Sequence, residues 1–315
     1  MFSLNESAWL LCDQLASRAE KLNIAVTSVS GARLIDCGVQ SPGGLEAGRL
    51  FAEICLAGLG KVELVPLPGS GTASMAVTIT TDQPRLACMA SQYAGWQISV
   101  GKFFAMGSGP MRAVAAREPL FEKLGVREKT SRVVGVLETS KLPTADVFQS
   151  IADACSVSLE NVTLLVARTA SLAGTLQVVA RSLETALHKL NELDFDLQSI
   201  VSGVGVAPLP PIASSDFVAL GRTNDAILYG GEVTLWVRDD DERLAALGPK
   251  IPSSASHDYG APFAELFERA GRDFYKIDPH LFSPALVTLI NLSSGRTHRF
   301  GQLRPDLLKK SFTTP

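Results

Sequence analysis

The sequence predicts an α/β protein in which helices are layered against β-sheets. From Ile24 to Leu190, apolar runs of strand length alternate with segments that have the periodicity of amphipathic helices. This alternation is typical of layered α/β structure, and it leaves parallel and antiparallel pairing of the strands undecided. Hydrophobic residues make up 46% of the 315 residues and charged residues 19%, which supplies a core for two compact lobes or one large domain.

The first predicted elements are a helix and a β-hairpin. The N-terminal stretch MFSLNESAWLLCDQLASRAEK has an amphipathic pattern, which Asn5 or Ser7 is expected to cap. Two apolar runs, Ile24–Val29 and Ala32–Cys37, flank Ser30-Gly31. A two-residue turn between such runs predicts a hairpin.

Helices and strands continue to alternate along the rest of the chain. Ser41-Pro42 predicts the start of a helix, because proline fits the first helical turn. Gly203–Ile212 (GVGVAPLPPI) is the most irregular segment and is expected to be a linker or the wall of a cleft. The acidic turn Asp239–Glu242 is expected to cap the helix after it. Further helices are predicted at Met111–Leu124, Pro143–Cys155 and Pro262–Ala270, and further strands at Lys61–Val65, Ser74–Thr80, Arg132–Glu138, Val162–Ala167 and Ala285–Leu292.

The charge balance argues against a nucleic-acid-binding protein. The chain has 32 acidic and 29 basic side chains, a net charge of −3, and it contains no block of five or more Lys and Arg residues. No apolar run approaches the roughly 18 residues of a membrane span, and the N-terminal stretch lacks the basic start of a signal peptide. The sequence therefore predicts a cytoplasmic protein with neither a nucleic acid nor a membrane as partner.

The cysteines and histidines give no sign of a metal site or a disulfide framework. They form no C-x-x-C, His/Cys cluster or H-E-x-x-H pattern. We therefore expect buried free thiols and no bound metal. The five cysteines are Cys12, Cys37, Cys55, Cys88 and Cys155, and the four histidines are His188, His257, His280 and His298.

Two glycine-rich turns are candidates for binding an anion. Residues 69–72 (GSGT) and residues 107–110 (GSGP) each offer backbone N–H groups that could surround a negative charge. Ser108 and Gly109 stand just before a predicted helix, whose dipole would add to the attraction. The alternative for each is a plain tight turn.

Two further features are candidates for contacting a flat heterocycle. Residues 221–225 (GRTND) are expected to form an exposed polar turn, in which Arg222 could pair with an anionic group. Asn224 and Asp225 could bond the edge of a ring, or could only bond their own backbone. Tyr93 and Trp96 could stack on a ring, or could belong to the core.

One long helix is predicted over Arg168–Leu190. Its apolar residues recur at steps of three and four and form one buried stripe. On the other side, Arg181 lies one turn from Glu184, and Glu184 lies one turn from His188. Spacing alone favours a solvated helix face with an ordinary ion pair. The stripe comprises Leu172, Leu176, Val179, Leu183, Leu187 and Leu190, and Gln177 joins the polar side.

The residues of this helix resemble a known family. Residues 181–189 (RSLETALHK) closely resemble the R-x-x-E-T-A-L-H-K segment of the methenyltetrahydromethanopterin cyclohydrolases. Other blocks resemble that family too, in order along nearly the whole chain, so the resemblance is specific. These blocks are residues 93–98 (YAGWQI), 103–110 (FFAMGSGP), 221–231 (GRTNDAILYGG) and 273–285 (DFYKIDPHLFSPA).

The resemblance implies an enzyme of one-carbon metabolism that adds water to N5,N10-methenyltetrahydromethanopterin and opens the ring to the N5-formyl compound. The tetrahydromethanopterin derivative is then the substrate, and neither a separate redox cofactor nor a metal is expected. The implied fold is a two-lobed α/β architecture with the substrate in a cleft between lobes, and the implied assembly is a homotrimer. We place the lobes at residues 1–142 and 143–315, and leave open an exchange of segments between them.

Carried onto this sequence, the resemblance makes Arg181 and Glu184 the catalytic pair. Glu184 would hold and deprotonate the attacking water, and Arg181 would orient that carboxylate. Two alternatives stay open, namely a non-catalytic pterin-binding or carrier protein and a hydrolase of another cyclic amidine. The residues expected to bind the substrate are Tyr93, Trp96, Ser108, Gly109, His188, Arg222, Asn224 and Asp225.

Overall fold

The structure is a computed structural model that describes residues 2–69, 71 and 73–313. The chain forms two compact units, each built from two separate stretches of sequence. The first unit comprises the described residues up to Gly60 together with Leu86–Gln177. The second comprises Lys61–Arg85 together with the described residues from Val178 onward. Leu142, after which the sequence analysis places a lobe boundary, lies within the first unit.

Helices and strands alternate along the described chain, as an α/β protein requires. A π-helix occupies Arg85–Gln92. The α-helices are α1 (Leu4–Ala16), α2 (Leu45–Cys55), α3 (Met111–Ala115), α4 (Leu120–Leu124), α5 (Ala145–Cys155), α6 (Leu172–Val179), α7 (Ser182–Glu192), α8 (Asp216–Leu228), α9 (Asp241–Leu247), α10 (Phe263–Arg269) and α11 (Pro305–Thr313). The strands are β1 (Ala25–Val29), β2 (Ala32–Gly38), β3 (Lys61–Pro66), β4 (Met75–Thr81), β5 (Trp96–Val100), β6 (Phe103–Ser108), β7 (Val133–Glu138), β8 (Val162–Ala167), β9 (Ile200–Pro208), β10 (Glu232–Val237), β11 (Leu286–Asn291) and β12 (Thr297–Gly301). Short 3₁₀ turns lie at Leu159–Asn161, Leu197–Ser199, Gly248–Lys250, Ser253–Ala255, Phe274–Lys276 and Pro279–Leu281.

The first unit is built on a six-stranded mixed sheet with the order β1-β2-β8-β7-β6-β5. The strands β2, β8 and β7 are parallel, and the outer pairs are antiparallel. Successive side chains of a strand point to opposite faces. Accordingly, Val134 of β7 and Leu165 of β8 join a core with α1 and α2, whereas Val133 and Leu164 join a core with α5. Helices therefore cover both faces of this sheet.

The second unit is built on another six-stranded mixed sheet, with the order β12-β11-β10-β9-β4-β3. Only β10 and β11 are parallel among these strands; the other neighbours are antiparallel. With two mixed sheets flanked by helices, the predicted α/β fold class is confirmed.

The hairpin predicted around Ser30-Gly31 is confirmed. β1 and β2 pair antiparallel, with Val29 opposite Ala32. Both turn residues have positive φ, 52° for Ser30 and 93° for Gly31. This is the backbone that a two-residue hairpin turn demands, and glycine adopts it without a steric penalty.

The segment Gly203–Ile212 is not a linker as far as Pro208, because its first six residues belong to β9. β9 pairs with β10 on one side and β4 on the other, so it is an interior strand of the second sheet. Gly203 and Gly205 lack the side chains that favour strands, and this made the segment look irregular.

Helix ends were predicted less well than strands. Ser3, rather than Asn5 or Ser7, caps α1 by accepting a hydrogen bond from the Glu6 N–H at 3.1 Å. The helix predicted over Met111–Leu124 is two short helices, α3 and α4, with Pro119 just before the second. Asp240 does cap α9, as the acidic turn predicts. Among the described residues, no helix has both the length and the apolar character to cross a bilayer.

Candidate active site

The long helix predicted over Arg168–Leu190 is broken in the structure. α6 and α7 are separated by Ala180 and Arg181, and Arg181 has φ −94° and ψ 4°. The Thr185 N–H donates to the Arg181 carbonyl at 2.9 Å, so Arg181 immediately precedes the first turn of α7. Glu184 is then the third residue of α7. No glycine or proline stands at the break, which is why the periodicity missed it.

Arg181 and Glu184 are both buried, with 8% and 5% of their surfaces exposed. The interpretation of this face as a solvated one with an ordinary ion pair is therefore wrong. The first turn of a helix is a favourable place for a carboxylate, because unpaired N–H groups give it partial positive charge. The predicted stripe is buried from Leu176 to Leu190, whereas Leu172 is 38% exposed.

Two glycines of β9 allow the start of α7 to lie close to the second sheet. A Cβ atom on Gly205 would lie 2.6 Å from the Ser182 Oγ and 2.9 Å from the Leu183 backbone nitrogen. A Cβ on Gly203 would lie 2.8 Å from Leu183 Cδ1. The residues that directly follow Arg181 can therefore approach the strand this closely only because the strand lacks side chains there.

Replacing Gly205 with alanine is expected to destabilise the second unit and to lower kcat. The new methyl group collides with a backbone atom and a short side chain, and overpacking of this kind costs about 1–3 kcal/mol. The turn that carries Glu184 has to move. Thermal unfolding and steady-state rates measure both effects. Gly203→Ala is the matched control, since it meets the flexible end of Leu183 and should cost less; equal or larger losses in the control would contradict the prediction.

His188 lies one turn beyond Glu184 and is partly buried. Burial lowers its pKa, against the opposing charge of Glu192, whose Oε1 is 3.9 Å from His188 Nε2. A lowered pKa makes His188 a neutral imidazole at neutral pH. In that form it can accept or donate a hydrogen bond without adding positive charge one turn from Glu184. Its predicted contact with the substrate stays a prediction.

Lys189 is a residue that the sequence analysis did not single out. Its side chain is almost fully buried, and its Nζ donates to the His280 carbonyl at 2.6 Å. Burial lowers the pKa of Lys189 to about 8, opposed mainly by Asp278. This bond joins the RSLETALHK segment to the DFYKIDPHLFSPA segment inside the second unit. Spacing gave no signal for it, because a lysine next to a polar face is ordinarily exposed.

The segment 221–225 is not the exposed turn that its polar composition predicted. It lies within α8, and Arg222 is 9% exposed. The Arg222 Nη1 donates to the Pro211 carbonyl at 3.1 Å, and the Asn224 Nδ2 donates to the Leu220 carbonyl at 2.9 Å. Both side chains thus bond the backbone of their own unit. Their roles toward a substrate stay predictions.

Asp225 is fully buried on α8. Its Oδ1 accepts the Phe263 N–H at 2.8 Å and so holds the start of α10. Burial raises the pKa of Asp225 to about 7, against the opposing hydrogen bond from the Phe263 N–H. This carboxyl therefore joins α8 to α10, and its predicted contact with a substrate stays a prediction.

Asp225→Asn is expected to change how thermal stability depends on pH. The folded pKa of about 7 stands above the ordinary 3.8, so the native protein keeps a proton that the unfolded chain releases. Wild-type stability therefore falls as pH rises between these values and levels off above them. Asparagine retains the acceptor for Phe263 and does not titrate, so the variant should gain on the wild type between about pH 5 and pH 8. Calorimetry at about pH 5 and about pH 8 measures the difference in Tm between the variant and the wild type at each pH. The same difference at both pH values would contradict this expectation.

Tyr93 lies in the short irregular segment before β5, and Trp96 is the first residue of β5, both in the first unit. Each ring has a guanidinium over it: Arg112 Cζ is 5.0 Å from the Tyr93 ring centre, and Arg117 Cζ is 5.3 Å from that of Trp96. Trp96 also packs against the core that contains α5. Trp96 can therefore belong to the core and still present part of its ring for stacking.

The polar groups of Ser108 and Gly109 have partners inside the first unit. The Ser108 hydroxyl is buried, lies 3.4 Å from Cys55 Sγ and donates to the Val136 carbonyl at 3.3 Å. The Gly109 N–H donates to the Ser91 carbonyl at 2.8 Å. Anion binding by this turn stays a prediction, and α3 after it has only five residues. In the other turn, at 69–72, residues 70 and 72 lie outside the described residues.

Comparison with known proteins places these features in one family. The cyclohydrolase (MCH) family model matches residues 3–312. A methenyltetrahydromethanopterin cyclohydrolase of Methylobacterium sp. (strain 4-46) is 48% identical over 315 residues, which cover 98% of this chain and 97% of the relative. Proteins of the same name from Methylobacillus flagellatus and Methanospirillum hungatei are 46% and 42% identical. The match to the Methylobacillus flagellatus protein covers 98% of this chain and 95% of that relative. The match to the Methanospirillum hungatei protein covers 99% of both chains.

Proposed function

The chain belongs to the methenyltetrahydromethanopterin cyclohydrolase family, and from that premise we propose that it converts N5,N10-methenyltetrahydromethanopterin and water to N5-formyltetrahydromethanopterin. The observation that carries the proposal is the pair Arg181 and Glu184, buried together at the start of α7 in the RSLETALHK segment. Charged side chains are costly to bury unless they have a functional role or a precise set of partners. Addition of water to a cationic carbon gives a buried carboxylate such a role.

The reaction requires a positioned base more than an activated electrophile. The methenyl carbon is bonded to two nitrogens in an amidinium-like unit and already carries positive charge. As the oxygen of a water molecule bonds to that carbon, Glu184 accepts one proton of the water. The carbon–N10 bond of the tetrahedral adduct then breaks, its electron pair goes to N10, and N10 takes the hydroxyl proton of the adduct. The formyl group remains on N5, and the proton held by Glu184 is released to solvent.

Glu184 contributes in two further ways in this proposal. A carboxylate held next to the methenyl carbon orients the water along its path of attack, which removes part of the entropic barrier. It also attracts the cationic substrate, so part of its effect is binding rather than catalysis. Arg181, which directly precedes the same helical turn, orients the carboxylate and favours its charged form.

The flat pterin ring is the part of the substrate that an aromatic side chain recognises best. We assign Tyr93 and Trp96 to this contact, because both rings are only partly buried and stand next to a segment without regular structure. No cofactor takes part in the proposed reaction, since the tetrahydromethanopterin derivative is itself the substrate.

The test is to offer methenyltetrahydromethanopterin and methenyltetrahydrofolate to the pure protein and to follow the loss of the methenyl absorbance. Catalytic turnover of the first compound is expected. A protein that binds this compound without turnover would be a carrier. A protein that neither binds nor converts it would have to be examined as a hydrolase of another cyclic amidine, and either result would overturn the proposal.

We also propose that the protein assembles as a homotrimer. The proposal rests on the family and on the tendency of soluble enzymes to form closed symmetric oligomers. Light scattering should give three times the chain mass of 33.5 kDa at micromolar protein concentration. A stable monomer or dimer under these conditions would contradict it.

A further inference from the structure

The most completely buried charged side chain in the first unit has no part in the chemistry above. Arg112, on α3, has no exposed surface. Its Nε donates to Glu118 Oε1 at 2.8 Å, and its Nη2 forms a short bond to Glu118 Oε2. Its Nη1 donates to the carbonyls of Met89 at 3.0 Å and Ser91 at 3.3 Å. The guanidinium thus makes a two-point bond to a carboxylate and two bonds to backbone.

The backbone that Arg112 binds is the end of the π-helix. The last carbonyls of a helix lack partners within the helix and need donors from elsewhere, and a cation is well suited to them. The Ser91 carbonyl also accepts the Gly109 N–H, so Arg112 and the turn before α3 hold the same atom. π-Helical turns are rare and occur frequently at functional sites.

The residues that follow the π-helix contact the Arg112–Glu118 pair. Residues 93–95 form neither helix nor strand. Above the Arg112 guanidinium lies the Tyr93 ring, with 5.0 Å from Cζ to the ring centre, within the range of a cation–π contact. Gly95 lies directly on the Glu118 carboxylate, because a Cβ there would be 2.0 Å from Glu118 Oε2 and 2.7 Å from Tyr93 Cε1. The Arg112–Glu118 pair therefore packs against both Tyr93 and Gly95 of this segment.

The residue next to Glu118 contacts the second aromatic of the segment. Arg117 stands over the Trp96 ring, while Glu118 holds Arg112 under Tyr93. The short connection between α3 and α4 thus reaches both rings that we assign to the pterin. A buried ion pair is weak evidence for a gain in stability, whereas here the contacts of the pair converge on the end of the π-helix and on the residues directly after it.

We infer that Arg112, paired with Glu118, is a positioning residue for the substrate, because it fixes the Tyr93–Trp96 segment in the arrangement that receives the pterin ring. Arg112 does not touch the substrate in this inference and acts through Tyr93. The inference rests on the proposed function, since it takes the pterin as the ligand of this segment.

Arg112→Lys tests the inference by separating KM from kcat. Lysine keeps the charge and loses the planar fork that reaches Glu118 and two carbonyls at once. A mispositioned Tyr93 weakens ground-state and transition-state binding alike, so KM should rise about tenfold while kcat changes less than about threefold. A purely structural role would instead lower the amount of folded enzyme and leave KM unchanged.

Gly95→Ala serves as a second variant in case Arg112→Lys folds poorly. Its methyl group displaces the Glu118 carboxylate and Tyr93 from the other side and removes no buried charge, and it should raise KM in the same way. Arg33→Lys is the matched control. Arg33 is also stacked on an aromatic ring and paired with a carboxylate, at Trp9 and Asp13, and its strand β2 is separated from β5 by β8, β7 and β6 in the sheet. Its KM should remain that of the wild type.

A double variant asks whether Arg112 acts through Tyr93. With Tyr93→Leu already present, Arg112→Lys should raise KM by less than about twofold further, because the side chain it positions is gone. Folded Arg112→Lys and Gly95→Ala proteins with wild-type KM, or independent multiplying effects in the double variant, would overturn the inference while the wild type still turns over its substrate. A wild type without turnover would overturn the proposed function itself, and the inference with it.

Discussion

Replacing Glu184 with glutamine is expected to lower kcat by about 100-fold or more, the range seen when a general base is lost. Glutamine has nearly the same shape and can still bind a water molecule. It cannot accept the proton that the water must lose as its oxygen bonds to the methenyl carbon. It also removes a negative charge from beside a cationic substrate, so KM should rise as well. Initial rates at saturating methenyltetrahydromethanopterin measure the first effect directly.

The matched control for this variant is Glu265→Gln. Glu265 is the third residue of α10, as Glu184 is of α7, but it is exposed and pairs with Lys310 at 2.7 Å. The same change of atoms at the same helical position should leave kcat within about threefold of the wild type. If Glu184→Gln also stayed within that range, Glu184 would have no part in the mechanism.

The fold was predictable wherever a single physical cause governs a segment. Val162–Ala167 is a run of apolar residues because a parallel strand covered on both faces buries every side chain, and β8 has these bounds. The turn at Ser30-Gly31 was equally clear, since positive φ restricts the choice of residue. β9 was missed because Gly203 and Gly205 serve the approach of α7 and carry no strand propensity.

The candidate site was predictable in its residues and not in its surroundings. Helical spacing reports which side chains share a face, and it does not report what covers that face; this is why Arg181 and Glu184 looked solvated. The GRTND segment was misjudged for a related reason. Its Gly221 lets Ala264 of α10 come close, with 2.9 Å from a Cβ built on the glycine to the Ala264 Cβ. Asp225 then bonds the Phe263 N–H, so residues typical of a turn build a helix contact.

Arg112 shows the limit of sequence reasoning most clearly. An arginine in an apolar segment gives no sign of its partners, and the carbonyls it binds belong to residues about twenty positions earlier in the chain. Glu118 follows Arg112 by six residues, and this spacing suggests only a local ion pair between them. Only the folded unit places Tyr93 above this pair.

Arg181→Lys is expected to lower kcat by about tenfold or more, if Arg181 orients Glu184 as proposed. An ammonium group keeps the charge and cannot reproduce the planar two-point hold of a guanidinium on a carboxylate. A carboxylate free to rotate positions the water less well, and that loss falls on the transition state. If Arg181 served only to attract an anionic part of the substrate, the same variant would raise KM and spare kcat. The ratio of the two parameters therefore decides between the roles.

Arg181→Met extends the test to the pH–rate profile. Methionine removes the fixed positive charge, and a catalytic carboxylate without a neighbouring cation takes up a proton more readily. The acid limb of the kcat profile should then move to higher pH in Arg181→Met and stay near its wild-type position in Arg181→Lys, which keeps the cation. We favour the orienting role, because Arg181 directly precedes the first turn of α7, which contains Glu184, and both residues are buried. An unchanged kcat in Arg181→Lys together with an unmoved acid limb in Arg181→Met would show that these two residues do not act as one catalytic unit.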